Sequence, residues 1–337
     1  MKTVRIHAPL SASVVDMPPS TPLTADEVRL RVRLVGLCGT DLTTYRGGNT
    51  MVTFPRVPGH EVAATVEEGG TLPHGTPVTL SPYTHCGHCA SCRRGRMNAC
   101  RDNQTMGVQR DGAMTEYILV PSEKLYTANL SLRELALVEP LTVGAHAAAR
   151  GRVTSADTVA VFGCGGIGLG AIASCAFRNA RTIAVDMDDQ KLEIARKAGA
   201  VELINTSRED LHERLSALTG GEGPDVIIEA IGLPLTFRAA VEEVAFTGRV
   251  VYIGYAKEPV TYETRLFVQK ELDILGSRNA LPEDFFEVIR MLEAGKFPVD
   301  DAVSLIVVPE EVPEILAQWS AQPGKFTKIM VQFSERV

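Results

Sequence analysis

The chain has 337 residues, enough for two domains with a sizeable core, and its 45% apolar and 22% charged content excludes a disordered chain, a collagen-like fibre and a disulfide mini-protein. Its 34 lysines and arginines stand against 41 acidic residues, a net charge of −7, and no basic block runs along it, which excludes a nucleic-acid backbone as the expected partner.

Residues 1–10 alternate apolar and charged side chains (Val4 and Ile6 against Lys2 and Arg5) and hold no apolar signal core, so the expected location is cytoplasmic. Up to about residue 140 the sequence reads as β-rich, with alternating runs at 28–35 and 62–66 broken by Gly, Pro and Asn turns. Two short motifs sit among these runs, Gly36-Leu37-Cys38-Gly39-Thr40-Asp41 and Pro58-Gly59-His60-Glu61, and near the end of the region stands Glu139-Pro140-Leu141. A thiolate, an imidazole and one or two carboxylates around an ion with an open position describe a catalytic zinc. The His60-Glu61 pair is not a zincin helix, because Ala64 stands where a second histidine is required.

Four of the seven cysteines, Cys86, Cys89, Cys92 and Cys100, form C-x2-C-x2-C-x7-C. In a reducing compartment such cysteines are tested first against metal ligation, and this spacing lets one loop present four sulfurs tetrahedrally to a single ion. Structural zinc is the expectation, although the spacing by itself also admits an iron-sulfur cluster. Four thiolates on one divalent zinc leave a charge of about −2, which Arg93, Arg94, Arg96 and Arg101 would offset. His88 lies inside the loop and is read as a surface residue, the coordination shell being full.

From residue 157 the rhythm changes. Strand-like runs at 158–162, 182–186, 225–229 and 249–254 alternate with helical stretches such as 190–197 and 235–244, the signature of a doubly wound parallel sheet. The uncharged stretch 158–177 is long enough to span a bilayer, but its five ordered glycines read as strand, turn and helix, so no membrane role is expected. Gly163, Gly165, Gly166, Ile167 and Gly168 form a dinucleotide fingerprint: a tight turn, a close approach to pyrophosphate, and a helix N-terminus facing the phosphates. Asp186 stands 23 residues after Gly163 at the end of the next strand, placed to bond the adenosine ribose, and Met187 beside it supplies no cation for a 2′-phosphate. NAD is therefore expected over NADP, with Lys191 within reach of the ribose and Gly254 closing the site after a later strand. Cys164 and Cys175 read as packing residues. Gly276-Ser277-Arg278-Asn279 follows the last Rossmann strand, and Arg278 with Asn279 are the expected substrate contacts, an arginine fork suiting a carboxylate or vicinal hydroxyls. Arg46, Gln109 and Arg110 are weaker pocket candidates. An amphipathic helix over 282–294 buries Phe285, Val288, Ile289 and Leu292 and stops at Gly295, and 325–333 reads as a strand returning to the first domain.

Taken in order, the 36–41 motif, Gly59-His60-Glu61, the four-cysteine lobe, Glu139-Pro140-Leu141 and the fingerprint resemble the zinc-dependent medium-chain dehydrogenases of the sorbitol dehydrogenase type over essentially the whole length. The resemblance implies a GroES-like, β-rich catalytic domain from residues 1–141 and 279–337, with the zinc lobe at 86–100, and a Rossmann NAD-binding domain at 142–278. It implies two zinc ions per chain. Cys38 and His60 would bind the catalytic one directly, Glu61 would be the inner carboxylate, and Glu139 the water-linked or exchanging one. Thr40 matches the hydroxyl that relays the substrate proton, while Thr43 stands where many relatives have a histidine, which leaves the outer end of that relay undefined.

The expected activity is NAD-linked oxidation of a secondary alcohol by hydride transfer from a zinc-bound alkoxide, since zinc neutralised by one thiolate and one carboxylate lowers the pKa of a bound hydroxyl. The run 276–285 resembles relatives that act on hexonic acids such as L-galactonate or L-gulonate at the 5-position, so a polyol or sugar acid is the expected substrate. Rival readings are an L-threonine-type or other secondary-alcohol dehydrogenase and, more remotely, a zinc-free quinone or enone reductase or a non-enzymatic NAD-binding protein. Family likeness points to a homodimer or homotetramer.

Overall fold

Branched apolar residues at every second position make the long strand Glu27–Leu37, whose Val28, Leu30 and Val32 point into the core. A computed structural model describes residues 1–18 and 23–333 and places this strand at the heart of a seven-stranded sheet. Its neighbours are Ile329–Gln332 on one side and Glu61–Gly69 on the other, both antiparallel; Leu305–Val307 continues the first side, Pro77–Leu80 and Leu125–Tyr126 the second, and Tyr117–Pro121 also pairs with Glu27–Leu37. A hairpin, Lys2–Ala8 with Ser11–Asp16, and the helix Val312–Ala321 add Val4, Ile6, Leu316 and Trp319 to the same core. The register pairs Gly36 with Glu61, which sets the two short motifs side by side at one end of two adjacent strands.

The second unit is built on a six-stranded, all-parallel sheet in the order Glu202–Asn205, Arg181–Asp186, Thr158–Phe162, Val226–Glu229, Arg249–Tyr252, Asp273–Gly276. The central strands are apolar on both faces, as a sheet covered on both sides by helices requires. From Thr158–Phe162 the chain first moves outward on one side and then crosses to Val226–Glu229 on the other. The carboxyl ends of these two strands thus form the topological switch point, where open α/β sheets bind ligands.

The chain divides into Met1–Glu139 with Val299–Val337, and Pro140–Pro298. The first boundary falls beside the expected one, inside the helix Leu132–Arg150; the second falls at residue 298 rather than 278. The helix Pro282–Glu293 is the reason. It buries Phe285, Val288, Ile289 and Leu292 as its periodicity predicts, worth roughly 1.5–3 kcal/mol each. It also buries Asp284, which accepts a 2.7 Å hydrogen bond from His146, and Glu287 forms a two-pronged ion pair with Arg178 at 3.0 and 2.7 Å. Those partners fasten residues 279–298 to the second unit. Among the described residues no helix is long and apolar enough to cross a membrane.

Candidate active site

Cys38 directly follows the central strand Glu27–Leu37 and caps the helix Gly39–Tyr45. The Asp41 carboxylate, one turn into that helix, accepts from Cys38 N at 2.9 Å through one oxygen and from Gly59 N at 3.2 Å through the other. Buried Asp41 thereby ties the loop before His60 to the loop that carries Cys38. Gly59 has φ +96°, and a Cβ there would lie 2.8 Å from a Val35 methyl, so the tight entry to His60 needs glycine. Gly36 serves differently: a Cβ on it would sit 1.9 Å from Glu61 Oε2, so its missing side chain makes room for the carboxylate opposite.

The result is a group in which ligand atoms of Cys38, His60 and Glu61 all lie within 4.8 Å of one another. His60 is buried and its Nδ1 has no hydrogen-bond partner. Thr40 Oγ1 is 3.7 Å from Cys38 Sγ. Lys328, the residue before the last strand Ile329–Gln332, donates to both oxygens of Glu61 at 2.6 and 2.7 Å, and both side chains are buried. Glu139 lies outside the three-ligand group, and the buried phenol of Tyr83 donates to its Oε1. Burial raises the Glu139 pKa, with Glu61 adding to it, while His60, Tyr83 and Lys328 pull the other way. Burial lowers His60, but Cys38, Glu139 and Asp41 outweigh it and hold the imidazole well above its ordinary value. Lys328 behaves alike: burial opposes its charge, and Glu61 with Cys38 restores it.

In the lobe the four sulfurs close up, Cys89 to Cys92 at 3.5 Å, Cys86 to Cys100 at 3.6 Å and Cys89 to Cys100 at 3.9 Å. Backbone amides of Cys86, Cys89 and Asp102 point at sulfur at 3.3 Å, the arrangement that favours thiolate. The Ser91 hydroxyl and the amides of Cys92 and Arg101 push Cys89 down to about 5. His88 is exposed, with Nδ1 turned to its neighbour Cys86 O at 2.8 Å. Of the expected offsetting arginines, Arg101 pairs with Asp102 and Arg93 donates to His88 O.

In the nucleotide unit Gly163 has φ +94°, and a Cβ on Gly168 would collide with Gly163 O at 1.8 Å, so two fingerprint glycines are there for turn and packing. Gly165 caps the helix Gly166–Phe177 and faces open space, which leaves the backbone approachable. Asp186 ends its strand with one oxygen accepting from Cys164 N at 2.7 Å and the other from Met187 N and Asp188 N at 2.8 and 3.1 Å. Arg208, a nearby cation, is spent in a bidentate pair with Asp189 at 2.6 and 2.8 Å. Burial pushes Cys175 up to about 12 and raises Cys164 further, consistent with inert packing thiols.

Residues 24–129 match the family described as alcohol dehydrogenase GroES-like domain, and residues 166–294 match zinc-binding dehydrogenase. The chain belongs to the zinc-binding medium-chain alcohol dehydrogenases. It is 33% identical to an uncharacterized zinc-type alcohol dehydrogenase-like protein of Haemophilus influenzae, over 99% of both chains. It is also 33% identical to the L-galactonate-5-dehydrogenase of Escherichia coli K12, over 83% of this chain and 84% of that one. Among solved structures, a short chain alcohol dehydrogenase from Escherichia coli CFT073 complexed with NADH superposes with a TM-score of 0.90 at 30% identity, covering 99% of each. The polyol and sugar-acid branch expected of this dehydrogenase is thus its actual neighbourhood.

The residues fit the two groups this family uses. A thiol, an imidazole with an unpartnered buried nitrogen and a carboxylate suit zinc, four clustered sulfurs suit a second ion, and the open Gly165 turn with Asp186 suits a dinucleotide. Sequence reading of this dehydrogenase missed Tyr83 and Lys328 and gave Asp41 no role. Tyr83 lies three residues before the first lobe cysteine, and Lys328 is the one charge entering an apolar strand, but neither spacing names a partner. Arg46 and Gln109 are engaged locally, with Ser320 and with Thr105 N and Met51 respectively, and Arg110 donates to Pro82 O.

Proposed function

We propose that this dehydrogenase oxidises a secondary alcohol of a polyol or sugar acid, an aldonate such as L-galactonate or L-gulonate, to the ketone, with NAD as coenzyme. The observation that supports this most is the convergence of Cys38, His60 and Glu61 within 4.8 Å. These three would hold the catalytic zinc, with Glu139 exchanging or water-linked, and the bound ion supplies a Lewis acid that lowers the pKa of an alcohol hydroxyl. The lobe cysteines Cys86, Cys89, Cys92 and Cys100 would hold the structural ion. NAD, when bound, supplies the cationic ring that accepts hydride; Gly163, Gly165, Gly166, Ile167 and Gly168 would carry its pyrophosphate, Asp186 and Lys191 its adenosine ribose, and Gly254 the far side.

The chain's own groups account for the rest. In the oxidation the coenzyme, when bound, would take the electron pair of the carbon-hydrogen bond, and the hydroxyl proton would pass to Thr40 Oγ1 as Thr40 releases its own proton onward, leaving the carbonyl. Thr40 stands beside the Cys38 sulfur for this, and Thr43 donates to Gly39 O at 2.9 Å. Asp41 holds the Cys38 and His60 loops in register. Lys328 cancels the Glu61 charge, which leaves the ligand set less anionic and any bound ion more electrophilic. Arg278 and Asn279 serve the polar end of the substrate.

A panel of aldonates, polyols, simple alcohols and threonine, followed by formation of reduced coenzyme, tests the reading; turnover of primary alcohols alone would overturn it. Arg278→Ala is expected to raise KM for an acid about tenfold while moving a neutral polyol far less. An equal effect on both removes the carboxylate argument. We read the chain as a homodimer or homotetramer, supported by the open edge strand Asp273–Gly276 with exposed Ile274, and sedimentation decides it.

A further inference from the structure

Glu229 is the last residue of the central strand Val226–Glu229 and is wholly buried, yet no motif pointed to it. A carboxylate at the carboxyl end of an apolar strand, shut away from water, calls for a physical reason. Its bonding supplies one. Oε1 accepts three hydrogen bonds, two from the turn that follows, Ile231 N at 2.9 Å and Gly232 N at 2.8 Å, and one from the start of the next helix, Thr236 Oγ1 at 2.7 Å. The backbone oxygen of the same residue accepts from Ile253 N and Gly254 N at 2.9 and 3.2 Å, in the turn after the neighbouring strand Arg249–Tyr252. Oε2 has no hydrogen-bond partner and packs against that second turn, where a Cβ on Gly254 would lie 2.5 Å from it.

The two turns also touch each other and the fingerprint. A Cβ on Gly254 would be 2.4 Å from Gly232 N, one on Gly232 would be 2.9 Å from Tyr255 N, and one on Gly163 would be 2.7 Å from an Ile231 side-chain carbon. Three turns from three adjacent strands are therefore in contact, and one buried residue holds two of them, the first through its carboxylate and the second through its backbone oxygen. Burial raises the Glu229 pKa, and the amides of Gly232 and Ile231 with the Thr236 hydroxyl oppose it.

Strand order says what those turns face. In a doubly wound sheet the dinucleotide lies across the carboxyl ends of the strands, its pyrophosphate at the fingerprint turn. Asp186 puts the adenosine half over the Arg181–Asp186 side, so the other half falls over Val226–Glu229 and Arg249–Tyr252. We propose that Glu229 is a positioning residue for the nicotinamide half of the coenzyme, acting through the turns at 230–233 and 253–255 and touching no substrate. This rests on the NAD reading above.

The test separates the two halves. Binding of NADH and of 5′-AMP is titrated by fluorescence and calorimetry on the full chain. Glu229→Ala is expected to weaken NADH about tenfold and leave 5′-AMP within about twofold, because the turn at 230–233, under the nicotinamide half, loses its hydrogen-bonded anchor and the turn at 253–255 loses only the side chain packed against it. Glu229→Gln, whose amide oxygen can take the Oε1 place, is expected to recover most of the NADH affinity. Thr236→Val removes a single bond of the three and serves if the alanine variant does not fold, with NADH weakened about threefold at unchanged 5′-AMP binding. Equal losses for NADH and 5′-AMP, or no loss for either, would overturn the proposal. A wild-type chain that binds neither ligand overturns the coenzyme reading instead.

Discussion

Two clusters of metal-ligating side chains lie in one unit of this dehydrogenase and are built in opposite ways. The lobe takes four identical donors from residues 86–100, partly open to solvent, with sulfurs bonded by their own loop's amides. The Cys38 group takes three different donors from two separate segments, buries His60 and Glu61, and gathers further buried polar groups about them: Asp41, Tyr83, Glu139 and Lys328. Four thiolates saturate an ion and give it nothing further to do, so such a site stabilises its loop. A mixed set with a lysine cancelling one carboxylate leaves room for a fourth group and keeps charge on the ion. Uniform donors suit a structural ion, and expensive buried polar company suits a reactive one.

The sharpest break of that contrast is a pair of serines. Cys38→Ser is expected to remove one metal ion per chain and lower turnover about a thousandfold or more while the melting temperature barely moves. Cys100→Ser is expected to do the reverse, losing the lobe ion with about 3 kcal/mol or more of stability and keeping turnover in the molecules that stay folded. Metal content, turnover and urea midpoints on both variants decide it; two identical profiles would erase the distinction.

Lys328→Met should come next. Stranding the buried Glu61 carboxylate is expected to cost about 3–5 kcal/mol, and adding Glu61→Gln should restore much of it, as read by chemical denaturation of the metal-free chain. Tyr83→Phe should be milder. With Glu139 released, kcat is expected to fall about tenfold at little change in KM, and a purely structural role for the phenol would show instead as lost stability.

Smallest is a control in the other unit. Burial pushes Asp157 up, but Thr154 and the Arg249 guanidinium outweigh it and hold the carboxyl below its ordinary 3.8. A depressed folded pKa adds stability above the unfolded value that disappears as pH falls through the folded one. Asp157→Asn is therefore expected to lower stability by about 2 kcal/mol at neutral pH, with the difference shrinking below pH 3.8 and metal content unchanged. A gap that persists in strong acid would mean the loss is steric.

What could be read without coordinates follows from distance along the chain. The lobe and the fingerprint are local, so spacing alone carries them, and the parallel sheet follows from alternation that repeats every few tens of residues. The Cys38 group was readable as two separate motifs because their chemistry is complementary. Tyr83 and Lys328 were not, since each gains meaning only from a partner 56 or 267 residues away. Glu229 was hidden by its neighbours: within Val226-Ile227-Ile228 it reads as the polar end of a strand. The helix Pro282–Glu293 was recognised by its period, but its partners were not, because apolar spacing does not reveal that Asp284 has a buried histidine to meet.

The pairing of Lys328 with Glu61 sets a timetable for synthesis. At roughly 5–20 residues per second, the 267 residues between them take about 13 to 50 seconds to leave the ribosome. For that interval the Glu61 carboxylate has no cation to bury against, and one edge of the strand Glu27–Leu37 waits without the neighbour Ile329–Gln332. The parallel sheet, encoded wholly inside the interval, has every strand it needs before the first unit can close.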